Sequence, residues 1–142
     1  MQVDQYFSNS YAEAREKLLA AAQKAGLEVK TYHNPEKGCS QEDLCTDVIW
    51  LGPKDAKKVL VTSSATHGPE GYLGSAVQLA AIETGAYSNL PESTATLLIH
   101  AVNPWGFSWG RRCNEDGIDI FRNFINFNNP APKNDLYDKL IN

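Results

Sequence analysis

Apolar and polar positions change period several times along the chain, and each change marks an element. From residue 10, the stretch SYAEAREKLLAAAQKAG puts Tyr11, Ala14, Leu18, Ala21 and Ala25 on one side at helical spacing. Ser10 followed by Glu13 predicts a capping box, in which each side chain takes up a free backbone N–H of the other. Gly26 suits the left-handed residue that stops a helix. LEVKTYHN then alternates as a strand does, and Pro35 is expected to end it. LCTDVIWLG reads as a second strand, closed by Gly52 and Pro53. KKVLVTSSA is a third, and its continuous apolar centre predicts a buried strand. A helix from about Tyr72 to Thr84 and a fourth strand in TATLLIHAVNP follow. Strand, helix, strand between residues 58 and 102 predicts a βαβ unit with a right-handed crossover. After Pro104 the periodicity fades. WGFSWGRRCNEDGIDIFRNFINFNNPAPKN is dense in aromatic, Arg, Asn and Gly residues, which predicts a functional loop; its aromatics oppose disorder. NDLYDKLIN opens a last short helix.

Composition narrows the class. The chain has 142 residues, enough for one domain with a core, and it is 42% hydrophobic and 21% charged, as a globular protein is. A net charge of −4 opposes a nucleic-acid partner, since phosphate binding wants a basic patch. No apolar run reaches the length of a membrane span, and MQVDQYFSNSY has neither the basic start nor the apolar centre of a signal peptide. The three cysteines, Cys39, Cys45 and Cys113, lack the paired spacing of a zinc ribbon or a redox motif. Reduced thiols in a cytoplasmic protein are expected.

Candidate chemistry begins at THGPEGYLGS. His67 and Glu70 stand where a strand gives way to a helix, the edge at which α/β sheets place their ligands. Zinc takes imidazole nitrogen and carboxylate oxygen, and catalytic zinc sites use three protein ligands plus water. Gly68 and Gly71 allow a turn tight enough to aim both side chains at one point. The competing reading is a surface loop with Glu70 placed near the positive end of a helix dipole. Downstream, Arg111, Arg112 and Arg122 stand with Asn114 and Asn123. Arginine is the side chain that binds carboxylate through two parallel hydrogen bonds.

Taken together, YFSNSYAEAREKLLAAA, TDVIWLGP, THGPEGYLGSAVQ and HAVNPWGFSWGRRCNEDGIDIFRNF resemble the zinc carboxypeptidase superfamily, which includes succinylglutamate desuccinylase and aspartoacylase. They are most similar to an uncharacterised bacterial branch of it, a domain of unknown function. The resemblance implies an α/β fold, three-layer α/β/α with a mixed sheet, of which residues 1–142 form the N-terminal part of one domain. It implies a Zn2+ cofactor with His67 and Glu70 as metal ligands and Arg112 as the oxyanion-stabilising arginine. It further implies that Arg122 holds the substrate's free carboxylate, with Asn123 beside it as a substrate-binding residue. Asp119 is expected to pair with Arg122, and Arg112 and Arg122 are expected to face one pocket.

The third zinc ligand, a histidine, and the catalytic glutamate have no match in this chain. His33 and His100 are second-shell or core histidines on this reading, and His100 is the better substitute ligand. Phe121 stands where the family has the asparagine that assists the carboxylate-binding arginine. The implied activity is zinc-dependent hydrolysis of an amide bond next to a free carboxylate, in a small peptide or an acylated amino acid. The alternative is a truncated or degenerate relative with an incomplete metal site. Neither nucleic acid nor membrane is an expected partner; self-association through an uncovered sheet edge is.

Overall fold

A computed structural model of the protein describes residues 3–122, 124–130 and 132–141. Helix α1 spans Tyr11–Lys24. Ser10 caps it, its Oγ accepting the Glu13 N–H at 3.1 Å. The second half of the expected box differs: the Glu13 carboxylate accepts from the Asn9 N–H, one residue before the cap, at 2.8 Å. Gly26, at φ +67°, ends the helix as expected.

Strands β1 (Val29–Lys37) and β2 (Asp43–Leu51) form an antiparallel hairpin. Pro35 does not end β1. The register shifts between His33 and Lys37, and an edge strand can hold a proline because its outward N–H needs no partner. Strand β3 (Lys58–Ser63), helix α2 (Gly71–Glu83) and strand β4 (Thr94–His100) complete the βαβ unit, with β3 and β4 parallel. The sheet order is β1-β2-β4-β3, a mixed sheet in which β4 joins the hairpin to the parallel pair.

The apolar centre of β3 predicts a buried strand, yet among the described residues it lies at the edge of the sheet, with Val59, Leu60 and Val61 46–57% exposed. A run of β-branched and aliphatic residues reads the same whether the strand has one neighbour or two.

Helices α1 and α2 cover one face of the sheet. Leu18, Ala22, Ile49, Leu79, Ile82 and Leu98 form the main core there. A second cluster at the carboxyl end of the parallel strands joins Tyr11, Ala65, Ala101 and Phe107. Side chains alternate across a sheet, so the other face carries Trp50, Val59 and Val61, all exposed. The described residues build two layers, helices on one face of a mixed sheet, of the three-layer arrangement that the resemblance implies for a whole domain. Helix α4 (Asp135–Ile141) leaves Leu136, Tyr137 and Leu140 exposed. Among the described residues no helix is long and apolar enough to cross a membrane, and all three cysteines are free thiols.

Candidate metal centre

Both parallel strands end in the same way. Ala65 after β3 and Ala101 after β4 adopt left-handed φ values of +53° and +57°, which an alanine holds only when its surroundings enforce it. Both are buried. The ladder continues past the strand ends through Val102 N–H to Ser64 O (3.0 Å) and Asn103 N–H to Ala65 O (2.9 Å). These two kinked exits send residues 66–70 and 102–110 along adjacent paths.

The second path holds a helix that the fading periodicity concealed, α3 (Pro104–Trp109). Pro104 sits at its first position and the Asn103 side chain accepts the Gly106 N–H at 2.8 Å. The Asn–Pro pair was the available signal. Helix α3 is locked to the His67 turn by glycines. A Cβ on Gly68 would overlap the Gly106 carbonyl, and one on Gly71 would lie 2.8 Å from the Phe107 ring. The Gly68 N–H donates to Arg111 O at 3.0 Å. Thus the His67 segment and the arginine segment are fastened backbone to backbone.

Between Arg112 and Asp119 the chain doubles back. Asn114 Oδ1 accepts the Asp116 and Ile118 N–H groups at 3.2 and 2.8 Å, and Asn34 reaches Glu115 at 2.9 Å. Asn114 is therefore a turn former. The turn returns Asp119 to His67.

Four side chains now stand in a row. Glu70 Oε1 lies 3.3 Å from His67 Nδ1, His67 Nε2 lies 3.1 Å from Asp119 Oδ1, and Arg112 Nε donates to Asp119 Oδ2 at 2.8 Å. Desolvation works to raise the Asp119 pKa, but hydrogen bonds from Arg112, His67 and the Arg122 backbone N–H win and hold it far below the usual carboxylate range. The same bond to Asp119 raises the Arg112 pKa. Since Asp119 is ionised it can only accept, so the contact at Nε2 is an N–H bond donated by the His67 ring. A second carboxylate, Glu70, stands 3.3 Å from the other ring nitrogen, Nδ1. Tetrahedral legs of about 2.1 Å to a shared zinc need roughly 3.4 Å between donor atoms. His67 and Glu70 therefore fit two positions of such a shell. No third histidine, cysteine or carboxylate joins them among the described residues.

A family model described as "Protein of unknown function (DUF2817)" matches residues 7–142. The chain belongs to the DUF2817 family. A search of curated proteins finds no match. Solved structures similar to this DUF2817 chain include glutaminyl cyclases from three organisms. That of Fimbriiglobus ruber has 12% identity and a TM-score of 0.46, over 69% of this chain and 41% of that one. That of Macrostomum lignano has 17% identity and a TM-score of 0.43, over 65% and 31%. That of Porphyromonas gingivalis has 12% identity and a TM-score of 0.44, over 71% and 48%. The DUF2817 chain matches less than half the length of each.

The remaining predicted residues fall differently in the DUF2817 chain. Arg112 lines a cavity of 480 Å³ with Trp105, Arg111 and Glu115. His67 and Glu70 line another, of 470 Å³, with Leu73, Val77 and Tyr87. Arg122 shares neither: it is exposed, its guanidinium 5.3 Å from the Phe121 ring centre. Only its backbone N–H meets Asp119, at 3.1 Å, so the expected Asp119–Arg122 side-chain pair is replaced by the pair with Arg112. A spacing of three residues brings the acid to the arginine's backbone, whereas the turn at 114–118 brings it to Arg112. Phe121 packs edge-on to His67 at 6.1 Å. Asn123 lies outside the described residues. His100 is fully buried, with Nε2 2.9 Å from Ser75 Oγ, and burial pushes its pKa down to about 4. His33 contacts the Cys45 thiol at 3.4 Å. Asp119 is the member of the constellation that sequence reading assigned to a different partner.

Proposed function

We infer that the DUF2817 chain carries the first part of a zinc-dependent hydrolase site in a zinc-carboxypeptidase-like domain, one that cleaves an amide bond next to a free carboxylate. The observation that supports this is the placing of a carboxylate at each ring nitrogen of His67. Asp119 lies at Nε2, as a partner behind a metal-binding histidine does, and the 3.3 Å between Nδ1 and Glu70 Oε1 suits two ligands of one cation. A zinc ion bound there supplies a water of lowered pKa, towards ~7, and polarises a carbonyl.

The chain's own residues do the rest. Asp119 fixes the ring orientation and tautomer of His67. Arg112, anchored by one nitrogen to Asp119, keeps its remaining N–H groups for the oxyanion that develops as an amide carbonyl is attacked. Arg122, exposed on the same segment, offers a fork for a substrate carboxylate. Phe121 shields one side of His67 from water.

The test is metal content and turnover of the purified chain. Zinc should bind with a stoichiometry of one and should leave in His67→Ala and Glu70→Gln. Peptides with a free C-terminus and N-acyl amino acids should be hydrolysed in preference to C-terminally amidated peptides. Zinc binding without hydrolysis of any of them would favour the degenerate relative. Absence of zinc binding at millimolar metal would overturn both the site and the activity.

A further inference from the structure

The two halves of the candidate centre leave the sheet from neighbouring strands. His67 and Glu70 follow β3, whereas Arg112 and Asp119 follow β4 and α3. The last links between the two paths before they separate are at Ser64 and Ala101. Ala101 is fully buried and left-handed, at φ +57°. Side chains take up both polar groups of its backbone. Ser64 Oγ accepts its N–H at 3.2 Å, and Thr46 Oγ1 donates to its carbonyl at 2.7 Å. Thr46 lies on β2 and Ser64 directly after β3, the two strands that flank β4.

A left-handed alanine crowds its own Cβ against the following carbonyl, so it persists only where neighbours hold it. Two hydroxyls, one from each flanking strand, do so here. Ser64 is itself buried and tied by its backbone, its N–H donating to Ile99 O at 3.1 Å and its carbonyl accepting the Val102 N–H at 3.0 Å. A Cβ on Gly74 would lie 2.9 Å from Ser64 Cβ, so α2 sits directly on this joint. Two residues past Ala101, the Asn103 N–H reaches Ala65 O at 2.9 Å and Asn103 Nδ2 reaches Thr66 O at 3.5 Å. The backbone angle at Ala101 thus decides where Asn103 meets the residues that precede His67.

We propose that Thr46 and Ser64 are positioning residues for the metal centre: by holding Ala101 left-handed, they set the distance between the His67 turn and the segment that returns Asp119. The proposal rests on the reading of His67 and Glu70 as metal ligands. Both hydroxyls act through backbone. With Ala101 relaxed to extended backbone, residues 102 and 103 would continue along β4 and leave the exit of β3. Helix α3, which carries Gly106 against Gly68, would leave with them. Glycine would hold the same angle unaided, but the Ala101 methyl belongs to the cluster of Tyr11, Ala65 and Phe107.

Three variants of the full chain test this: Thr46→Val, Ser64→Ala and the double change Thr46→Val with Ala101→Gly. Two measurements are made on each. One is zinc affinity by isothermal titration. The other is the nitrogen spectrum of the His67 ring in the metal-free chain, which reports the N–H bond from Nε2 to Asp119. Each lost hydroxyl should weaken zinc binding about tenfold or more and erase the protected ring N–H signal, with circular dichroism unchanged. Ala101→Gly should return the Thr46→Val chain to within about threefold of wild-type affinity and restore the signal, since glycine needs no help to stay left-handed. A hydroxyl that merely stabilised the fold would not be compensated by removing a methyl from a packed cluster. Wild-type affinity and ring signal in both single variants overturn the proposal, as does a Thr46→Val chain that glycine fails to restore. Should Ser64→Ala not fold, the Thr46→Val pair decides alone. A wild type that binds no zinc overturns the metal reading, and the ring signal, lost in Thr46→Val and regained with glycine or else unchanged, still supports or overturns the positioning.

Discussion

A single aspartate organises the chemistry of this chain. Asp119 serves three donors at once: the His67 ring, the Arg112 guanidinium and the Arg122 backbone. Asp119→Asn removes the charge that faces His67 Nε2. It should weaken zinc binding ~10–100-fold by isothermal titration, the usual cost of losing a partner behind a metal-binding histidine. An unchanged affinity would mean that Asp119 orients nothing. A second residue-scale effect comes from His100, buried and neutral, with its pKa lowered to about 4. Its unfolded value is ~6.5, so the unfolded chain binds the proton more readily. Stability should be full above about pH 6.5, fall as pH drops towards 4, and lose roughly 3 kcal/mol from this group by then. His100→Asn should flatten that part of a urea-denaturation pH profile. Asp119 works in a lower window: its pKa is depressed, so its contribution is present above the ordinary carboxylate value of ~3.9 and is lost as pH falls further.

At the scale of elements, most of the order was legible and the neighbours were not. The expected α1 starts at its serine cap and ends before Gly26 because those signals are local. The expected strands and α2 fall within a residue or two of β2, β3 and α2 for the same reason, and the expected fourth strand starts with β4 at Thr94 but overruns its end at His100 by four residues. Pro35 was misread because its effect depends on whether β1 has an outer neighbour, and β3 was misread for the converse reason. His67 and Glu70 were legible as a pair because three residues separate them. The Asp119 contact closes a span of 52 residues, and no local pattern encodes it. The fastening of α3 to the His67 turn was half legible, as glycines without a stated purpose. Gly68→Ala should force that joint apart, because its methyl has only the Gly106 carbonyl and Arg111 O to meet. A loss of ~1–3 kcal/mol in thermal denaturation is expected, with zinc affinity falling as well. Asn103→Ala, which removes the cap of α3 and the Nδ2 contact with Thr66 O at 3.5 Å, should cost at least about 1 kcal/mol. If Gly68→Ala melted like the wild type, the two segments would not be rigidly joined.

For the whole molecule, zinc binding at the proposed centre would be coupled to folding, since His67 and Asp119 meet only in the folded chain. Zinc at a hundred times its dissociation constant should add ~2.7 kcal/mol to stability, read as a rise in melting temperature, and Glu70→Gln should abolish the rise. A rise retained in that variant would place the metal elsewhere, on Cys45 and His33 for example. The sheet order has a consequence for the timing of synthesis as well. A chain emerging from the ribosome offers β1 and β2 first, and these pair at once as a hairpin. Strand β3 comes next and finds no place, because the edge it needs belongs to β4, which is made only after α2. At ~5–20 residues per second, the nascent chain carries Val59, Leu60 and Val61 unpaired for a few seconds. Until residues 94–100 arrive, the His67 turn follows a strand with no sheet, and until Asp119 follows, His67 Nε2 lacks its partner. The contact between His67 and Asp119 therefore forms only after the sheet, and a stall in translation before Thr94 leaves β3 open to the nearest strand of another nascent chain.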